Sequence, residues 1–270
     1  TFRLEDMIKK LFTLFKIGRK LALSDALNIA SKFHKPPLVV RIFFQVLSLS
    51  FSNKNKINFE IDEGKRLSNS LQSMGTTFIK LGQFLATRPD IIGEDLSKQL
   101  ETLQDKLPPF PLSEAKKIIK ADLGEKTFNS LINLSEPVAA ASIAQVHKAQ
   151  INDDGIIKDV AIKILRPNIK KIFNEEIDAL MLFAFIVESL VKETKRLKLV
   201  EVVFLLKEIT NLEMDLRFEA AAASELYENT KNDLGFNVPK IYWNQTSKKI
   251  LCLDRINGIP IREIENLKSN

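Results

Sequence analysis

The chain has 270 residues, 45% of them hydrophobic and 27% charged, with a formal net charge of +6 and one cysteine; that is enough for one large domain or two modest ones with a real core. Cys252 alone excludes an internal disulfide and fits a reducing compartment, while two histidines and one cysteine argue against a zinc site. No apolar run reaches the ~18 residues of a membrane span; the nearest, Ala179 to Val187, reads as buried helix core.

Residues 1–50 read as helical, broken at Lys35-Pro36-Pro37. Residues 1–56 carry 11 Lys/Arg against 3 Asp/Glu, and the rest of the chain carries 29 against 31. The basic character therefore belongs to this first segment. Leu4, Met7, Ile8, Leu11, Leu14 and Phe15 form an apolar helical stripe flanked by Lys9, Lys10, Lys16, Arg19 and Lys20. Such a helix suits an anionic membrane surface and equally suits packing on its own protein. Nucleic acid is not expected as a partner, because no aromatic–basic interleaving accompanies the charge. The segment lacks the long apolar core of a signal peptide, and a first residue of Thr points to a truncated N-terminus. Ser52 to Asn58 reads as a linker.

From Leu67 to Thr87 the only charged side chain is Lys80, where ordinary composition gives about five or six. At helical spacing Leu71, Met74, Phe78, Leu81 and Leu85 share one stripe, with Gly75 and Gly82 at its edge. The opposite face carries Ser73, Thr76, Lys80, Gln83 and Thr87. One helix covered on both sides, with Lys80 meeting a specific partner, is the expectation; a packing helix whose Lys snorkels to water is the alternative. The helix ends near Arg88-Pro89. Ile92 to Lys106 reads as a charged surface helix, stopped by Pro108-Pro109-Phe110-Pro111. Ser113 is an N-cap candidate for a helix to about Leu123.

After Pro137 the pattern changes. Ile143 to Ile151 reads as a strand, Asn152 to Gly155 as a turn, and Ile156 to Leu165 as a second strand. There Val160, Ile162 and Ile164 share one face, and Ala161, Lys163 and Leu165 the other. Two helices follow, about 170–192 and 198–229. Lys240–Trp243 and Ile250–Ile256 read as a further hairpin around Asn244–Ser247.

Three features stand in order along this part. The run Ala139, Ala140, Ala141 and Ser142 precedes Ile143, and small side chains let backbone N–H groups approach a phosphate. Val160-Ala161-Ile162-Lys163 matches the V-A-I-K strand whose Lys contacts nucleotide phosphates in protein kinases. A buried ammonium there needs a carboxylate. The stretch Thr210 to Leu226 offers several: Asp215 and Glu219 are i,i+4 neighbours at helical spacing, and Glu213 points about 120° from Glu219. One carboxylate can serve Lys163 and another Lys80; a solvated acidic face balanced by Arg217 is the plainer alternative.

Taken together, Lys80-Leu81-Gly82-Gln83 (K-x-G-Q), the AAAS loop at 139–142, VAIK at 160–163 and Glu213-Met214-Asp215 (E-x-D) resemble the UbiB (aarF/ADCK) family of atypical protein-kinase-like proteins. TRPDIIG at 87–93 and LPPFP at 107–111 extend the resemblance over most of the chain. It implies an α+β fold: a kinase-like N-lobe, an antiparallel sheet with an αC-type helix, preceded by a helical N-terminal extension. The implied division is a basic helical segment at 1–56, the K-x-G-Q extension at 57–133, the N-lobe at 134–258, and the start of a second lobe at 259–270. By the same resemblance Lys163 and Glu219 form the catalytic pair. Ala139, Ala140, Ala141, Ser142, Lys163, Leu253, Asp254 and Arg255 hold the nucleotide, the last three as the hinge whose backbone reads adenine. Lys80, with Gly82 and Gln83, folds over the cleft as a regulatory element and engages Glu213 or Asp215. The family is associated with ubiquinone biosynthesis and lipid-facing ATPase or kinase-like activity. The implied ligands are ATP and Mg²⁺, the implied partners a quinone-precursor lipid, an anionic membrane surface and quinone-biosynthesis enzymes. The implied location is the cytoplasmic face of a membrane, the bacterial inner membrane, held peripherally.

The sequence departs from a complete kinase. It has no Asp-Phe-Gly, and neither His34 nor His147 lies after the hinge to form a catalytic loop. Mg²⁺ ligands are therefore expected in a second lobe, with none in this span, and this span alone is expected to lack phosphoryl transfer. A non-catalytic, nucleotide-sensing scaffold for membrane-bound quinone-biosynthesis enzymes stands as the alternative. Direct ring hydroxylation is disfavoured, since the chain has no G-x-G-x-x-G and no metal-ligand cluster.

Overall fold

A computed structural model describes residues 8, 11–13, 15–17, 63–101, 103, 107–190, 192–259, 267 and 268. Its elements, in chain order, are α1 (Glu63–Met74), α2 (Thr76–Ala86), α3 (Pro89–Ile92), α4 (Glu94–Leu100), α5 (Leu112–Asn129), β1 (Pro137–Ala140), β2 (Ala144–Asp153) and β3 (Ile156–Leu165). Then come α6 (Ile169–Leu190), a 3-10 turn (Lys192–Leu197), α7 (Leu199–Glu213), α8 (Leu216–Thr230), a 3-10 turn (Trp243–Gln245) and β4 (Ile250–Asp254). Two compact units form: Thr1–Leu107 with Ala141–Ile143 and Asn168–Leu212, and Pro108–Ala140 with Ala144–Pro167 and Glu213–Asn270. The expected linker at Ser52–Asn58, and Leu4, Met7 and Leu14 of the N-terminal stripe, lie outside the described residues. Where that segment is described it is helical, and Ile8, Leu11, Phe12 and Phe15 are exposed.

In the first unit the expected single helix over 67–87 is two helices. Gly75 separates them at φ +105°, ψ −173°, a conformation essentially reserved for glycine. The apolar stripe packs as read: Leu71, Met74 and Phe78 are buried, and Leu81 and Leu85 are half-buried. The polar face is partly covered as well, with Thr76 buried and Lys80 and Gln83 half-buried. Gly82 is a point of close approach. A Cβ there would lie 2.5 Å from Leu103 Cδ2 and 2.9 Å from Leu71 Cδ1, so only hydrogen fits without a shift. The charged helix expected over 92–106 is shorter, α4 starting after Gly93 at φ +86°. Helices α6 and α7 run antiparallel: Val200 N–H donates to Glu188 Oε1 at 3.1 Å, and Lys207 Nζ to Asp178 Oδ1 at 3.1 Å. Phe173, Ile177, Leu180 and Ala184 of α6 and Val202, Val203 and Leu206 of α7 are buried.

The second unit is built on a four-stranded antiparallel sheet in the order β1-β2-β3-β4. The β2–β3 turn forms because Asp154 and Gly155 both take positive φ, the geometry of tight hairpins, and Asn152 Oδ1 accepts from Gly155 N–H at 2.7 Å. Alternation then decides the faces. Ala149, Ile151, Val160, Ile162, Ile164, Ile250 and Cys252 form a core with Phe110 and with Ala115 and Ile119 of α5. Ala161 and Lys163 lie on the other face, half-buried. Helix α5 begins one residue before Ser113, with Pro111 at its N-cap and no side-chain cap, and Gly124 at φ +85° kinks it. The first arm of the expected second hairpin shrinks to a bridge between Ile241 and Leu253. Neighbouring N–H groups turn to side chains instead of the ladder, Lys240 N–H to the Asp254 carboxylate at 3.3 Å and Cys252 N–H to the Thr246 hydroxyl at 3.2 Å, and a 3-10 turn begins at Trp243. The helix expected over 198–229 is broken: Met214 is buried and Asp215 is extended at φ −128°, ψ 95°.

Candidate nucleotide-phosphate site

Lys163 sits mid-strand in β3, with Val146 of β2 and Leu251 of β4 at the two flanking register positions. Its stem therefore lies among apolar neighbours, which steers the ammonium outward along the sheet face. There Lys163 Nζ donates to both carboxylate oxygens of Glu219, at 2.9 Å and 2.7 Å. The side chains are 26% and 51% exposed, so solvent screens the pair and its worth to stability is about 1 kcal/mol or less. What the pair fixes is geometry: an ammonium held in place at an open sheet face, with α8 locked in register.

Asp215 is what begins α8. Its carboxylate accepts from Arg217 N–H at 3.2 Å, the reach of an N-cap, and takes a two-pronged hydrogen bond from the Arg217 guanidinium at 2.9 and 2.7 Å. Lys248 stands 4.0 Å from the same carboxylate, and Leu216 N–H donates to Lys248 carbonyl at 3.0 Å. The Arg217 hydrogen bonds hold the Asp215 carboxyl below its usual range, against the opposing effect of burial. So Asp215 and Glu219 are not helical neighbours on one face: Asp215 caps the helix, and Glu219, one turn on, meets Lys163. Arg217 is the counter-charge of Asp215. Glu213, the last residue of α7, is half-buried.

The small-residue run straddles the β1–β2 connection. Ala139 and Ala140 pair with Val146 and Gln145 after an irregularity in β1, and Ala141, Ser142 and Ile143 make the turn. Within the first unit, Thr76 Oγ1 donates to the Ser142 carbonyl at 2.9 Å. This bond ties the start of α2 to the turn, and the sequence reading did not find it. Lys80, Gly82 and Gln83 lie along the same α2.

At the hinge candidate the backbone is already engaged within the protein: Leu253 pairs with Ala161 in the β3–β4 ladder. Asp254 N–H reaches Lys240 carbonyl at 2.9 Å and Arg255 N–H reaches Asp159 carbonyl at 3.1 Å. The Asp254 carboxylate accepts from Tyr242 hydroxyl at 2.6 Å; burial and that bond raise the phenol above its ordinary range. Beside it, burial and Asp254 push the Cys252 thiol up to about 12, so this cysteine is a core residue without thiolate character.

A buried polar lattice underlies the turn's trailing strand. Gln145 and His147 are fully buried on the core face of β2. The signal was legible in principle, since both occupy inward positions of the alternation that places Ala149 and Ile151 in the core. In the first unit a cavity of about 370 Å³ is lined by Arg88, Asp90, Arg196, Lys198, Glu201 and apolar residues of α7. Among the described residues no three His, Cys, Asp or Glu side chains converge as a metal set, and no helix is long and apolar enough to cross a membrane.

Residues 102–270 match the ABC1 atypical kinase-like domain. The chain is 36% identical over 233 residues to a Marinobacter nauticus protein named "Probable protein kinase UbiB", covering 86% of this chain and 41% of that protein. It is 39% identical over 210 residues to the Pseudomonas paraeruginosa protein of the same name, covering 77% and 39%. With the Azotobacter vinelandii protein of that name the figures are 38% over 203 residues, covering 75% and 37%. The chain thus spans about two fifths of the length of these curated relatives. The chain therefore belongs to the ABC1/UbiB family of atypical kinase-like proteins.

Proposed function

We propose that this chain is the nucleotide-holding N-terminal part of a UbiB-like atypical kinase or ATPase that supports ubiquinone biosynthesis at a membrane. The observation that carries the reading is the two-pronged Lys163–Glu219 ion pair on the sheet face that follows the Ala-rich turn. A fixed ammonium is what a nucleotide polyphosphate requires. Small side chains at Ala139, Ala140 and Ala141 leave backbone room for phosphate oxygens. ATP, when bound, supplies the transferable phosphoryl group. Lys163 and the turn's backbone would hold its phosphates. The hinge backbone at Leu253, Asp254 and Arg255 would read adenine. In this reading Mg²⁺ is held by residues of a second lobe, and Lys80 with Gly82 and Gln83 regulates the cleft. The exposed stripe of Ile8, Leu11, Phe12 and Phe15 in a basic segment supports a peripheral seat on an anionic surface.

The test is complementation of a quinone-deficient strain with the full-length protein. Lys163→Ala and Glu219→Ala should each abolish quinone formation at normal protein levels. Restoration of quinone synthesis by Lys163→Ala would sink the catalytic reading and favour a scaffold.

A further inference from the structure

The polar lattice on the core face of β2 has one consistent proton arrangement. His147 Nδ1 lies 2.8 Å from the Ser135 carbonyl, which can only accept. Nδ1 therefore carries the proton, and Nε2 is left to accept from Gln145 Nε2 at 2.9 Å. The Gln145 amide is thereby oriented. Its Nε2 also donates to the Phe110 carbonyl at 3.2 Å, and its Oε1 accepts from Phe110 N–H at 2.9 Å. One side chain thus holds both backbone groups of Phe110, and Gln145 is also the register partner of Ala140 at the trailing flank of the Ala-rich turn.

We propose that Gln145 and His147 are positioning residues for the Ala-rich turn: the neutral imidazole aligns the Gln145 amide, which locks β2 at the turn to the backbone of Phe110. The proposal deepens the nucleotide reading and rests on it. A proton on Nε2 would face the Gln145 NH₂ group. The amide would then have to flip, placing oxygen against the Phe110 carbonyl and NH₂ against the Phe110 N–H, so both Phe110 bonds are lost together. The surroundings favour the neutral ring. β3 presents Ile162 and β1 presents Pro137 at the His147 register positions. Helix α5 presents Ala115 and Ile119 to the core while Lys116, Lys117 and Lys120 are exposed. Glu136 is the charged group acting on the ring from beside β1; burial outweighs it and lowers the His147 pKa below its usual value. The sign follows: the unfolded chain takes up the proton more readily, so the lock stabilises the fold above the ordinary histidine range and weakens as pH falls below it.

The test combines amide exchange at Phe110 with ATP titrations of the chain between pH 8 and pH 5.5. In the wild type, Phe110 should be protected at neutral pH, and protection and ATP affinity should fall together on acidification. His147→Phe should flatten that pH profile, and Gln145→Met should weaken ATP binding about tenfold at neutral pH. Lys163→Met should remove ATP binding at every pH while leaving the acid response of Phe110 intact, which separates failure of the nucleotide reading from failure of the lock. An unprotected Phe110 amide in the wild type would overturn the proposal. So would an unchanged pH profile of ATP affinity in His147→Phe, or acid loss of Phe110 protection with no change in ATP affinity.

Discussion

Two glycines carry constraints that no apolar pattern reveals. Gly75 is needed for its φ of +105° and Gly82 for lack of a Cβ, but the two demands are physically different. At Gly75 a Cβ meets nothing within 4 Å, so Gly75→Ala is a backbone cost alone, about 1–3 kcal/mol. Gly82→Ala instead drives a methyl into Leu103 and Leu71, an overpacking cost of about 1–3 kcal/mol. Urea unfolding distinguishes them: Leu103→Ala should rescue Gly82→Ala in part and leave Gly75→Ala unimproved. From the sequence, both glycines were visible only as residues at the edge of a stripe. Glycine inside a helical pattern does not reveal whether it breaks the helix or lets another side chain approach.

The hairpin of β2 and β3 was legible because period-2 alternation and the Asn152–Gly155 turn point the same way, and the face bearing Lys163 followed from it. The break between α7 and α8 was not legible. Apolar spacing runs from Val202 and Val203 through Leu206 to Met214 and Leu216 without interruption, so the helical period masks an N-cap. The clue was Asp215 itself, a strong capping residue. Asp215→Ala should cost about 0.5–2 kcal/mol, whereas Asp215→Asn keeps the capping oxygen and loses the ion pairs with Arg217 and Lys248. Its pH dependence is that of a depressed carboxyl: the stabilisation is present at neutral pH and is lost as pH falls through and below the ordinary Asp range. Thermal melts from pH 7 to pH 2 should show less acid sensitivity in Asp215→Asn than in the wild type. The Gln145–His147 lattice escaped the sequence reading for a related reason: strand alternation says which side chains turn inward, but not which backbone groups meet them.

At the scale of the whole molecule, the positive charge sits in the first 56 residues, 11 cations against 3 anions, while the rest is nearly balanced. If that segment seats the protein on a membrane, reversal of Lys9, Lys10, Lys16, Arg19 and Lys20 to Glu should abolish co-sedimentation with anionic vesicles. Raising salt past the range where the Debye length is about 10 Å should weaken wild-type binding. Unchanged sedimentation would move the segment to a packing role within the protein. The central claim concerns the second unit: that Lys163, held by Glu219, meets nucleotide phosphate. The most direct measurement is labelling of the chain with an ATP acyl-phosphate probe, which acylates lysines at bound phosphates, followed by peptide mapping with and without excess ATP. The account predicts that Lys163 is the lysine whose labelling excess ATP suppresses, and that Glu219→Gln reduces its labelling. Labelling spread over surface lysines, with Lys163 indifferent to ATP, would contradict it.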